Sequence, residues 1–180
     1  MKALIAGPTD ITKVERFGNI GSENYSPHLE QIARTMLDYV EVVNLIPDKG
    51  VPLDFAKFFR SLGGKIVGYV PSGGCPQLQE NFQCCDEILE FDAGWNGLNT
   101  CLSLKGDLIT VLGMSPGTIV EIAYTKYHNK YLKKRIPILI DEQSLTTKVP
   151  EEIAEELEIY YFSNPIELGK LLENIRRKLR

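Results

Sequence analysis

Short runs of Val, Ile and Leu recur along the chain, and most are followed by a segment whose apolar residues repeat at helical spacing. The runs are 2–7 (KALIAG), 40–47 (VEVVNLIP), 65–71 (KIVGYVP), 87–92 (EILEFD), 107–113 (DLITVLG) and 136–141 (IPILID), with IYYF before the last helix. Strands that are apolar throughout are covered on both faces, and strand–helix alternation means parallel strands joined by crossover helices. The pattern predicts an α/β fold: one Rossmann-like domain over 1–180, with a doubly wound, mostly parallel sheet of about six to seven strands. In such sheets ligands sit beyond the carboxyl ends of the strands. That rule singles out the loops after Gly7, Pro47, Pro71, Asp92 and Gly113.

Leu29, Ile32, Ala33, Met36 and Leu37 predict a helix opened by Ser26-Pro27, which leaves Thr9 to about Asn24 as a long polar loop. Phe55, Phe58, Phe59 and Leu62 mark the inner face of a helix that stops at Gly63-Gly64. A further helix runs to about Lys133, with Ile119, Ile122, Ala123, Tyr127 and Tyr131 expected inward. An amphipathic helix over 165–179 closes the chain.

A net charge of −4 gives no electrostatic case for nucleic acid or an anionic membrane. Lys130, Lys133, Lys134 and Arg135 cluster where they complement the carboxyl end of a helix dipole. No 18-residue apolar stretch exists, and MKALIAG is too short for a signal peptide, so a cytoplasmic protein is expected. The four cysteines form no CxxC pair and lie far in sequence from His28 and His128, so no metal site is expected. Neither GxGxxG after the first strand nor GxxxxGK[ST] occurs, so no cofactor is expected. His128 falls in the later turns of its helix, and a Ser-His-acid triad has little support.

The residues that carry chemistry gather in GMSPGTIVEI (113–122). Ser115 before Pro116 reads as an N-cap with a first-turn proline, and Thr118 and Glu121 are spaced as a capping box. A helix N-terminus also presents unpaired N–H groups and a partial positive charge, which favour phosphate. Capping does not explain Gly117, which is unfavourable inside a helix by about 1 kcal/mol relative to alanine. A ligand close to the main chain would explain it. The loops at the same sheet edge add candidates: Gly7, then Ser72, Gly73 and Gly74, then Trp95 and Asn99. Trp95 has two readings, stacking on a base or covering the sheet edge.

At these residues the chain resembles the LOG-like group of Rossmann-type proteins, long misnamed "lysine decarboxylases". Their pattern is a strand, PGGxGTxxE opening a helix, then KPV. Here LGMSPGTIVEI supplies Gly117, Thr118 and Glu121 in register, and KKRIPILI stands at the KPV position. LGGKIVGYVP is similar to their GGxVIGVxP, and GLNTCLSLKGDLITVLG to RNxxLxxxADxVIxxGG, with Asn99 at the asparagine. Met114 and Ser115 replace two motif glycines, Leu98 replaces the arginine, and LIP (45–47) stands where the family has a glycine-rich loop. A second, weaker resemblance is to nucleoside 2-deoxyribosyltransferase-like proteins, through LIAGP and SPGTIVEIAYTKYHNK.

Both resemblances imply a nucleotide-like small-molecule ligand. They imply Glu121 as the catalytic group at an N-glycosidic bond, with Gly113, Ser115, Gly117, Thr118 and Asn99 at the ligand. The first also implies a homodimer. The expected function is nucleotide binding with hydrolysis of the N-glycosidic bond of a nucleoside monophosphate or a related metabolite. The alternative is a non-catalytic nucleotide or phosphate-ligand sensor.

Overall fold

The computed structural model describes residues 1–73, 75–133, 135–145 and 147–179. The strands are β1 (Lys2–Ala6), β2 (Val42–Leu45), β3 (Lys65–Pro71), β4 (Glu87–Phe91), β5 (Leu108–Val111), β6 (Pro137–Asp141) and β7 (Glu158–Phe162). They form one sheet in the order β4-β3-β2-β1-β5-β6-β7, and every pairing is parallel. The helices are α1 (Thr12–Phe17), α2 (Ser22–Leu37), α3 (Val51–Ser61), α4 (Gly94–Cys101), α5 (Pro116–Leu132), α6 (Glu151–Ala154) and α7 (Pro165–Lys178). Short 3-10 segments follow β3, α4 and β6.

The strand runs are apolar throughout because successive side chains enter two different cores. From β1, Ala3 and Ile5 join the core under α2, α3 and α7, where Leu29, Met36, Phe55, Phe59 and Leu172 are fully buried. Leu4 and Ala6 point the other way, into the core of Leu98, Ile109, Ile122 and Ile138 beneath α4 and α5. A sheet buried on both faces has no polar side to mark in the sequence. The chain winds outward from β1 to β4 and then crosses back to β5, so the strand order reverses between β1 and β5. The loops after these two strands diverge to opposite faces and leave a crevice.

Three expectations are corrected. The stretch Thr9 to Asn24 is not a loop, since it carries α1 and the first residues of α2. Helix α2 starts at Ser22 and Pro27 lies inside it. Pro27 is an interior residue of α2, so it forgoes the hydrogen bond to the Glu23 carbonyl, and the Ser-Pro pair matches a helix start in sequence only.

The third correction concerns α5. Thr118, Glu121, Ile122, Thr125 and His128 are its buried residues. Ile119, Tyr127 and Tyr131 face outward instead, Tyr127 at 60% and Tyr131 at 79% exposure. Apolar residues lie all round this helix, so periodicity does not select a face. Two of the inward polar groups are satisfied locally: Thr125 Oγ1 donates to the Glu121 carbonyl at 2.7 Å, and His128 Nδ1 pairs with Ser103 Oγ.

Candidate ligand site at the strand-order reversal

A cavity of about 240 Å3 lies beyond the carboxyl ends of the central strands. Gly7 and Thr9 reach it from the loop after β1, Lys13 from α1, Ile46 and Asp48 from the loop after β2, and Pro52 from α3. Trp95 and Asn99 come from α4, and Ser115, Pro116, Gly117, Thr118 and Glu121 from the start of α5.

The geometry at the start of α5 is a single cap. Ser115 is the N-cap, with extended backbone, and its Oγ accepts from the Thr118 amide at 3.2 Å and pairs with Thr118 Oγ1 at 2.9 Å. Because Ser115 is the cap, Glu121 lies in the second turn of the helix and cannot close a capping box, which corrects that expectation. The Ile119 amide bonds the Ser115 carbonyl at 2.9 Å, and Pro116 has no N–H. Among the described residues this leaves the Gly117 amide as the unpaired donor of the first turn. A Cβ on Gly117 would meet only Ser115 Oγ at 3.7 Å and Asn99 Nδ2 at 4.0 Å. The protein itself therefore tolerates a side chain here, and the glycine keeps open a space that borders the cavity.

Glu121 is 6% exposed and lines the same cavity. No side chain or amide among the described residues bonds its carboxyl group. Burial without a partner pushes its pKa from 4.5 up to about 8, so at neutral pH the group is a neutral acid and a hydrogen-bond donor. Lys13 is the cation at the cavity and Asp48 its other acid.

Seven candidates singled out in the sequence, Gly7, Trp95, Asn99, Ser115, Gly117, Thr118 and Glu121, meet at this cavity. Gly7 is also required by packing, because a Cβ would come within 2.9 Å of Val51 Cγ1. Gly113, Ser72 and Gly73 do not line it. Gly113 has φ +126 and closes on Pro8, so backbone conformation accounts for it. Ser72 donates to Asp92 Oδ1 at 3.0 Å, tying two loops together at the far side of the sheet. Gly74 lies outside the described residues. Sequence reasoning missed Lys13 and Asp48. Lys13 gave no signal because its segment read as loop, and Asp48 looks like any turn acid.

Leu98, at the position of the family's arginine, is 1% exposed and belongs to the core beneath α4 and α5. Among the described residues, the only lysine or arginine lining the cavity is Lys13, from a different element. The histidines lie elsewhere. His28 Nε2 and Ser144 Oγ both bond Asp141 Oδ2, at 2.8 and 2.5 Å. The serine thus contacts the acid and not the imidazole, and no proton relay is formed.

The fold and the cavity together define a Rossmann-type α/β protein with a cleft at the switch point of its sheet. No family model matches the sequence, and the search of curated proteins returns no match. Among solved structures, the chain is similar to the molybdenum cofactor carrier protein of Chlamydomonas reinhardtii, with 15% identity, a TM-score of 0.67, and 97% of this chain and 96% of that one covered. It is also similar to the molybdenum cofactor binding protein of Rippkaea orientalis, at 16% identity and a TM-score of 0.66 over 97% and 96% of the two chains. A third likeness is to TM1055, a structural-genomics target, at 16% identity and a TM-score of 0.70 over 96% and 98%. At this level of identity the likeness is one of fold, and it agrees with the Rossmann-like architecture read from the sequence.

Proposed function

We propose that the cavity binds a nucleoside monophosphate or a closely related phosphate ester, and that Glu121 promotes cleavage of its N-glycosidic bond. The observation that carries this reading is the pairing of two groups in one cavity: an open, unpaired Gly117 amide at a helix N-terminus, and a buried, partnerless carboxyl one turn further along the helix. The phosphate is held by the Gly117 amide, the Ser115 and Thr118 hydroxyls and the Lys13 ammonium. Glu121, neutral below about pH 8, donates its proton to the base nitrogen as the bond from the anomeric carbon breaks and its electron pair moves to that nitrogen. Water adds to the anomeric carbon and returns a proton to the carboxylate, giving free base and sugar phosphate.

A second reading is a non-catalytic carrier or sensor of such a ligand. It is favoured by Leu98, which leaves no arginine on α4 to stabilise a developing charge, and by the cofactor carriers among the fold neighbours. Release of free base from nucleoside monophosphates, measured for wild type and Glu121→Ala, separates the two. Turnover lost in the variant supports hydrolysis. Saturable binding with no turnover in either protein supports the carrier.

The exposed stripe of Ile119, Tyr127 and Tyr131, flanked by Tyr124, supports a homodimer formed through α5. Contiguous aromatic surface on one helix is costly to leave in water, and this helix is the one that carries the ligand groups.

A further inference from the structure

The nucleotide reading assigns a place to the phosphate and to the glycosidic bond but leaves the ring of the ligand without a partner. Trp95 lies in the first turn of α4, reached from β4 through Gly94 at φ +58, a left-handed turn that suits glycine. Its surroundings decide between the two uses of a tryptophan here. A ring that seals a sheet edge packs into the core beneath it. Trp95 is absent from all three apolar clusters, has no ring or cation partner among the described residues, and is 38% exposed. It nevertheless lines the cavity, in company with the apolar Ile46 and Pro52.

Its spacing from the phosphate groups is set by α4. Asn99 sits one turn after Trp95 on the same helix, and its Nδ2 is 4.0 Å from the point where a Cβ on Gly117 would lie. Four residues of helix advance about 6 Å, which is the scale of a pentose between a phosphate and a base. We infer that Trp95 is the platform on which the planar nitrogen heterocycle of the ligand stacks. This rests on the nucleotide reading above. Stacking is sequence-tolerant because every base presents a π-face, so purine and pterin rings share the required chemistry: a fused planar heterocycle carrying a phosphate ester.

Trp95 is the sole tryptophan of the chain, so its emission reports contact with the ring without any label. The experiment titrates adenosine, guanosine and cytidine monophosphates, neopterin phosphate and ribose 5-phosphate into wild type, Trp95→Ala and Trp95→Phe, reading heat and tryptophan emission together. The expected result is quenching by the ring-bearing ligands, adenosine and guanosine monophosphates binding alike and more tightly than the cytidine compound, and ribose 5-phosphate binding without quenching. Trp95→Ala weakens the purine ligands by about five- to a hundredfold, leaves ribose 5-phosphate unchanged, and is largely rescued by Trp95→Phe. Equal affinity of wild type and Trp95→Ala for adenosine monophosphate, with ribose 5-phosphate still bound, overturns the platform and spares the nucleotide reading. Absence of heat with every ligand overturns both.

Discussion

Glu121→Gln is expected to stabilise the protein, and to do so in a pH-dependent way. The native carboxyl group has its pKa raised from 4.5 to about 8 by burial. The folded state therefore keeps a proton that the unfolded state releases between those values, so folding loses stability as pH rises through that window. Below about 4.5 the group imposes no such cost, and above about 8 the cost is constant. A displacement of this size corresponds to about 5 kcal/mol at roughly 1.4 kcal/mol per pH unit. Glutamine is nearly isosteric and does not titrate. Chemical denaturation of both proteins from about pH 4.5 to 9, in buffer without phosphate, reads the difference. It should grow with pH in favour of the glutamine variant up to about pH 8 and then level, reaching about 5 kcal/mol, or roughly 10–20 °C in Tm. A difference that does not change with pH would refute the reasoning, since it would mean that Glu121 ionises as an exposed carboxylate does.

Gly117→Ala has room within the protein, so it should fold with stability unchanged or raised by up to about 1 kcal/mol, yet lose measurable binding of nucleoside monophosphates by calorimetry. Ser115→Ala removes the acceptor for the Thr118 amide and should lower stability by about 1 kcal/mol in urea denaturation. Asp141→Ala removes a fully buried acid that His28, Ser144 and the Gln143 amide all bond. It should cost about 3–5 kcal/mol by the same measurement while leaving the cavity at the start of α5 intact. Tyr127→Glu with Tyr131→Glu should convert a dimer to a monomer in light scattering after size-exclusion chromatography.

The sheet was legible because each strand is a dense apolar run, and a parallel sheet buried on both faces writes itself into the sequence that way. The strand order was not, since each side chain that packs across the sheet is simply apolar and names no neighbour. The start of α5 was legible through Ser115, Pro116 and Gly117, residues whose backbone demands are specific. Its inward face was not, because Thr118, Glu121, Thr125 and His128 are polar and turn inward for local hydrogen bonds or the cavity, leaving the tyrosines outside. Gly113, Ser72 and Gly73 illustrate a related difficulty: glycine and serine at a sheet edge serve turns as readily as ligands, and only coordinates separate the two uses. Lys13 was hidden because a six-residue helix has too few turns to show a period.

The central claim is that the amide of Gly117 and the carboxyl of Glu121 face one ligand. A crystal structure of the protein soaked with adenosine monophosphate tests this most directly. The phosphate is expected within hydrogen-bond distance of the Gly117 amide and the Ser115 and Thr118 hydroxyls, with the glycosidic nitrogen or the freed base toward Glu121. A phosphate bound elsewhere, or an empty cleft at saturating ligand, would contradict it.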